Sequence, residues 1–195
     1  MKNFLTVSVT TFLFSSVLWV LWAFFLLQGD DNSPWLGPLL YYPHAARVLC
    51  IVYFGYRAIP ALFLAEIWGP LFLFPEAFNF YPYIPSLISV MCVPAAILTL
   101  EYAGFTLGST QDSPLNKTNY KHVALITVIS AFYNALIKNL SLSLFEVNYQ
   151  DHLVDILQVC SFLIGDIAGT AVVFILLAIV LRPILRSTNQ DSRIH

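Results

Sequence analysis

The sequence predicts an all-α fold, a polytopic integral membrane bundle of about six transmembrane helices. Three observations carry that prediction. Of 195 residues, 58% are hydrophobic and only 10% are charged, whereas soluble domains carry about 25% charged residues. Mean hydropathy is +0.76. The apolar residues also gather into runs near the ~20 residues that a helix needs to cross the hydrocarbon core. These runs use most of the chain. A single transmembrane helical domain is therefore expected over residues 1–186, with a short cytoplasmic tail at 187–195 that is polar and expected to fray.

The first run, 4–27, sits where a secretory signal would. It is longer than the ~7–15-residue core of such a signal, and no small-x-small cleavage site follows it. It reads as a retained span. Runs 38–56 and 58–74 are short and nearly continuous, joined at Gly55-Tyr56-Arg57. They read as an antiparallel hairpin. The fourth run covers 84–106 and the fifth 121–144, with the turn-rich stretch 107–120 as the clearest break. The last run, 152–183, is too long for one straight span. Residues 149–156 are expected to lie in the interface before it descends. Pro43, Pro60, Pro70, Pro75, Pro82, Pro85 and Pro94 crowd spans two to four. Proline removes a backbone donor, and in lipid the freed carbonyl needs another partner. Helices bent around a cavity and ordinary proline-rich membrane helices both fit.

Loop charge sets the expected orientation. Lys2, Arg57, Lys117, Lys121, Arg182, Arg186 and Arg193 fall at the N-terminus, at alternate loops and at the C-terminus. Asp30, Asp31, Glu76, Glu146 and Asp151 fall in the other loops. By the positive-inside rule both termini are cytoplasmic, in an inner (plasma) membrane. Trp35, Trp68, Tyr41, Tyr42, Tyr81 and Tyr83 then cluster near outer ends, as an aromatic belt would. The lipid bilayer is the first expected partner. The net charge of −2 and the lack of a basic patch point away from nucleic acid.

Polar groups inside the runs are the candidate site, because a charge in lipid costs roughly 2.5–3.5 kcal/mol or more and persists where it pairs, lines a cavity or works. Arg47 and Glu66 each lie about nine residues from the hairpin turn, about 14 Å above it. An antiparallel hairpin sets them level. A private ion pair and a ligand contact through the planar guanidinium are both open. His44 lies one turn before Arg47 on the same side. It extends the pair, senses pH or merely donates one hydrogen bond to a neighbour. In the last run, Gly165 and Gly169 form a small-xxx-small step for close helix packing, with Asp166 between them. Asp166 has no obvious partner at its own depth. Lys138 and Asp155 are placed to pair near the outer surface, and Glu101 to reach the headgroups. Asn116-Lys-Thr118 and Asn139-Leu-Ser141 match the glycosylation sequon, and both read as chance matches.

Cys50, Cys92 and Cys160 have no metal-ligand spacing and read as buried free thiols. Motifs of metalloproteases, nucleotide-binding loops and serine hydrolases are absent. No enzyme activity, metal or cofactor is expected.

Pro43-His44-Ala45, Gly55-Tyr56-Arg57 and Ile59-Pro60, together with Gly165-Asp166-Ile167-Ala168-Gly169 in the last helix, resemble the MASE-type membrane-associated sensor domains of bacteria. The resemblance covers the first half to about residue 74 and then 160–182. It does not reach 85–150. The family has more spans than this chain has room for. It implies a module that senses a small molecule and passes the change to a cytoplasmic domain. No output domain follows residue 186, so a separate membrane or cytoplasmic protein partner is expected. The expected function is a sensor-like module binding a small-molecule ligand within the bundle. A substrate-binding transporter subunit and a structural or assembly component of a membrane complex are the alternatives.

Overall fold

A computed structural model describes residues 3–26, 40–73, 83–105, 120–141 and 156–191. Every regular element among them is helical. The chain opens with α1, Phe4–Leu26, whose 23 residues reach about 34 Å. One side of α1 buries Val7, Thr11, Ser15, Leu18 and Trp19, while Val9, Leu13, Val17 and Phe24 are exposed.

Helix α2, Pro43–Phe54, is the axis of the fold. Proline at its first position fits, since that N–H has no intrahelical partner. Every residue from Pro43 to Val52 is buried, and α2 touches all five other helices. It ends at Gly55, whose φ of 65° lets its N–H return to the Ile51 carbonyl. A 3₁₀ turn, Gly55–Ala58, leads into α3, Ile59–Leu73.

The apolar stretch Pro43–Gly69 spans 27 residues, yet it is not one rod. Arg47 Nε lies 2.9 Å from Glu66 Oε1 across a separation of 19 residues, which in a straight helix would be about 28 Å. The predicted hairpin is therefore present. Its arms, of 12 and 15 residues, are each shorter than the ~30 Å hydrocarbon core. The described residues thus contain six α-helices, and five stretches long and apolar enough to cross a membrane. This is the make-up of a multi-pass membrane protein.

Helix α4, Tyr83–Tyr102, carries Pro94 in its interior. It closes in a Schellman motif, with Phe105 N–H on the Leu100 carbonyl and Gly104 N–H on that of Glu101, both at 3.0 Å. Helix α5, Tyr120–Tyr133, runs into a π-helical turn, Asn134–Lys138, and stays helical to Ser141. Helix α6, Ile156–Asp191, has 36 residues, about 54 Å. The core gathers on α2: Ala45, Val48 and Ile51 meet Leu18, Leu62, Val90, Val93, Ile126 and Val173. Leu64, Phe72, Leu98, Ile175 and Ile179 form the exposed apolar exterior, as a lipid-facing surface requires.

Several expectations change. Helix α6 runs through residues 187–191 of the expected polar tail. Tyr41 is buried rather than part of an interfacial belt. Cys160 is exposed, in contrast to Cys50 and Cys92, because it sits on an outward face near the start of α6. Of the expected loop at 107–120 and the interfacial segment at 149–156, residues 107–119 and 149–155 lie outside the described residues, as do Trp35, Tyr81 and Asp155.

Candidate functional site

Three helices converge at the N-terminal end of α2. The Tyr41 N–H donates to the Gly165 carbonyl of α6 at 2.9 Å. A Cβ placed on Gly169 would lie 2.5–2.6 Å from the backbone of Tyr41. The small-xxx-small step predicted on α6 is thus used, but its guest is the chain entering α2 rather than the flank of another helix. The lack of side chains lets the backbones touch, and that contact sets the depth at which Asp166 meets α2.

The first polar layer is the hairpin pair. Arg47 donates from Nε to Glu66 Oε1 at 2.9 Å and from Nη2 to Glu66 Oε2 at 3.1 Å. The fork matches the carboxylate, which strengthens and orients the contact. Arg47 Nη2 also donates to the Tyr41 hydroxyl at 3.0 Å, and the guanidinium carbon lies 5.2 Å from the Tyr41 ring centroid. Arg47 is 0% and Glu66 2% exposed. On α4, Ser86 Oγ donates to the Glu66 carbonyl at 3.4 Å. Among the described residues, Arg47 Nη1 has no hydrogen-bond partner.

The second layer joins α2, α5 and α6. Asn134 Nδ2 donates to Asp166 Oδ2 at 2.6 Å. His44 Nδ1 lies 3.6 Å from the same oxygen, too far for a direct hydrogen bond. The other side of the ring, Nε2, is 3.1 Å from Ser130 Oγ, and Ser130 in turn donates to the Thr127 carbonyl at 3.1 Å. His44, Ser130 and Asp166 are all 0% exposed. Asp166 therefore does have partners at its depth. Among the described residues, Asp166 Oδ1, Asn134 Oδ1, His44 Nδ1 and the Thr170 hydroxyl have no hydrogen-bond partner.

The π-helical turn is what aims Asn134. An i→i+5 turn takes in an extra residue and shifts the side-chain register, and such turns recur at functional sites. Asn134 opens this turn and Lys138 closes it. The Lys138 ammonium lies 5.8 Å from the Tyr41 ring centroid and 5.5 Å from that of Phe162, so it reaches the edge of the same cluster. Glu101 is exposed at the end of α4.

Of the predicted residues, His44, Arg47, Glu66 and Asp166 come together in one buried region, with Gly165 and Gly169 beside it. They divide into two layers because a three-residue step on a helix turns about 60° short of a full circle. Arg47 faces α3, while His44 faces α5 and α6. Tyr41, Ser130 and Asn134 were not anticipated. A signal for the last two was present: Thr127, Ser130 and Asn134 recur at steps of three and four along an otherwise apolar run, a polar stripe of the kind that bonds across membrane helices.

The order Ser130–His44–Asp166 is that of nucleophile, base and orienting carboxylate in hydrolases. Here the serine hydroxyl is turned into its own helix, towards Thr127, and the histidine–aspartate distance is long. The three side chains link α2, α5 and α6. Among the described residues no group of three or more His, Cys, Asp or Glu side chains is placed to hold a metal ion. Apart from this cluster, an apolar groove of about 460 Å³ lies between α1, α2 and α6, lined by Phe14, Leu49, Tyr53, Phe174, Leu177 and Leu181 among others. No protein-family model, curated protein or solved structure matches the chain.

Proposed function

We propose that the chain is a non-enzymatic, sensor-like membrane module that binds a small polar ligand within the bundle and signals to a separate protein partner through α6. In this reading it lies in a bacterial inner membrane with both termini cytoplasmic, and it belongs with the MASE-type sensor domains it resembles. One observation supports this above the others. The single continuous helix α6 carries Asp166 inside the buried network and extends ten residues past Leu181, the end of its apolar stretch. Donors and acceptors unpartnered among the described residues, Arg47 Nη1 on one side and Asp166 Oδ1 and Asn134 Oδ1 on the other, suit a small molecule with both kinds of group. A ligand shifts such a helix only if it binds two arrangements unequally.

The test uses the full chain in lipid nanodiscs, with a panel of amino acids, short carboxylates and ammonium compounds. A sensor predicts that one probe raises thermal stability and changes the distance between spin labels at Tyr56 and Leu181. Arg47→Lys should abolish both effects. A probe that stabilises the chain without moving α6 would remove the signalling reading. A second reading, an assembly component, is favoured by the private pairing of Arg47 with Glu66 and Tyr41. It predicts a stoichiometric partner on purification and no response to any probe.

A further inference from the structure

We propose that the groove between α1, α2 and α6 is a lipid site, which takes one acyl chain of an anionic phospholipid and holds its phosphate on the arginines at one end. The groove has a volume of about 460 Å³, and its lining is almost wholly apolar, Phe14, Leu49, Phe174 and Leu177 among it. Water would find too few polar partners there to stay. In a multi-pass membrane protein, the fluid that meets an open apolar groove is hydrocarbon. The lining also fixes the depth. Thr10 of α1, Phe54 of α2 and Leu181 of α6 all line it, so the start of α1 and the ends of α2 and the α6 apolar stretch lie at one face of the bundle. From Phe174 to Leu181 is about 10 Å along α6, and one leaflet is half of a ~30 Å core. The groove thus runs through most of one leaflet. Leu181 is also the last residue of the apolar stretch of α6, so that end lies where the headgroups begin.

Apolar fit alone selects no lipid in a bilayer, because the tails are as apolar as leucine. Charge selects. At the headgroup end, Arg57 is exposed in the turn that follows Tyr53 and Phe54. Arg182 comes directly after Leu181, and Arg186 follows about one turn later on the same helix. No Asp or Glu occurs in residues 4–26, 43–65 or 167–190, the parts of α1, the hairpin and α6 that flank the groove. Glu101, at the end of α4, belongs to a helix that does not line it.

A guanidinium fork matches two phosphate oxygens, and basic clusters beside transmembrane helices read anionic headgroups. Each such charge near the surface is worth about fivefold in affinity. Seated there, the lipid tail lies between the hairpin and α6. The site does not depend on a ligand at Asp166, so it stands for a sensor, a transporter subunit or an assembly factor.

Photo-crosslinking tests this on the full chain in phosphatidylcholine vesicles. Two probes at equal mole fraction carry the same diazirine tail, one on phosphatidylglycerol and one on phosphatidylcholine. Fragmentation mass spectrometry locates the adducts. The phosphatidylglycerol probe should label Phe174 and Leu177 above Ile175 and Ile179, although the latter two are 59% and 63% exposed. It should label the groove at least about fivefold more than the phosphatidylcholine probe does. Added unlabelled phosphatidylglycerol should clear those adducts. Arg57→Gln should lower the preference about fivefold, and Ala178→Trp, which fills the groove, should remove the groove adducts and spare Ile175 and Ile179. Adducts that simply follow exposure, as for lipid lying anywhere around the bundle, would overturn the proposal. So would equal labelling of the groove by the two probes. The comparison of probes on the parent chain needs no substitution, so it decides even if a variant fails to fold.

Discussion

Removing one half of the Arg47–Glu66 pair should destabilise the fold far more than removing both. In Glu66→Met, Arg47 keeps only its contact with the Tyr41 hydroxyl, having lost both hydrogen bonds to the carboxylate. Two estimates of the cost compete. Interhelical hydrogen bonds in a bilayer protein average about 0.6 kcal/mol each, which gives about 1 kcal/mol for two. Leaving one member of a buried ion pair uncompensated costs about 3–5 kcal/mol. The larger figure governs, because Arg47 is 0% exposed and its head cannot snorkel to water without withdrawing α2 from the core. Arg47→Met should cost a similar amount, since it strands Glu66. The double variant removes both charges and keeps apolar volume, which for buried pairs is often neutral or better, so it should lie within about 1 kcal/mol of the parent. Reversible unfolding in mixed micelles, followed by tryptophan fluorescence, supplies the three free energies. The cycle should show a coupling of at least about 5 kcal/mol, above the range usual for contacting residues, because each single variant strands a buried charge. Additivity to within about 0.5 kcal/mol, the behaviour of independent sites, would refute the reasoning and with it the pair as the element that holds the hairpin shut.

Tyr41→Phe removes the hydroxyl acceptor of Arg47 Nη2 but keeps the ring over the guanidinium, and should cost about 1.5 kcal/mol in the same unfolding assay, the low end for a bond to a charged group. Gly169→Ala gains up to about 1 kcal/mol of helix propensity, yet its methyl meets the Tyr41 backbone at 2.5–2.6 Å. Because that neighbour is backbone and cannot rotate away, the net effect should be destabilising by about 1–3 kcal/mol, and a gain in stability would show that the close approach is not needed. In native membranes a permeant maleimide should label Cys160, while Cys50 and Cys92, buried in the core, should react only after denaturation; mass spectrometry of the peptides reads this out.

The fold was largely legible because bilayer physics leaves few choices. Run lengths gave six helices, and Gly55 marked the reversal because a left-handed residue is needed to close α2. The level pairing of Arg47 with Glu66 followed from counting residues away from that turn, since both arms are regular and short. Asp166 was the failure. Its partner His44 had been assigned to the Arg47 side, and nothing local to α6 says that it packs beside the start of α2. That neighbourhood is set by long-range contact, the Gly169 notch against Tyr41, and no periodicity within one helix encodes it. The α1–α3 seam was missed for a different reason. Ala61, Ala65 and Gly69 repeat at four-residue steps, a small-residue stripe that sequence reading passed over among larger neighbours. In the structure Ala61 and Ala65 are 3% and 0% exposed, and a Cβ on Gly69 would lie 2.5 Å from the Trp19 indole.

The two polar layers differ in how firmly they tie the helices together. The Arg47–Glu66 layer is a forked, charge-neutral contact within one hairpin, reinforced by Tyr41, and breaking it strands a charge. The His44–Asp166 layer bridges separate helices through a 3.6 Å contact and two hydrogen bonds, Asn134 to Asp166 and His44 with Ser130, with Asp166 Oδ1 and Asn134 Oδ1 unpartnered among the described residues. It leans on a π-helical turn, which can migrate along a helix by exchanging i→i+5 for i→i+4 bonds. A displacement of α6 of about 1–2 Å, the scale of common helix shifts, would break the second layer, whereas the Arg47–Glu66 bonds lie within the hairpin and do not depend on α6. In the sensor reading, the hairpin α2–α3 would be the frame and α6 with the π turn of α5 the part that shifts, so a ligand at Asp166 would act on the helix that runs furthest beyond its apolar stretch.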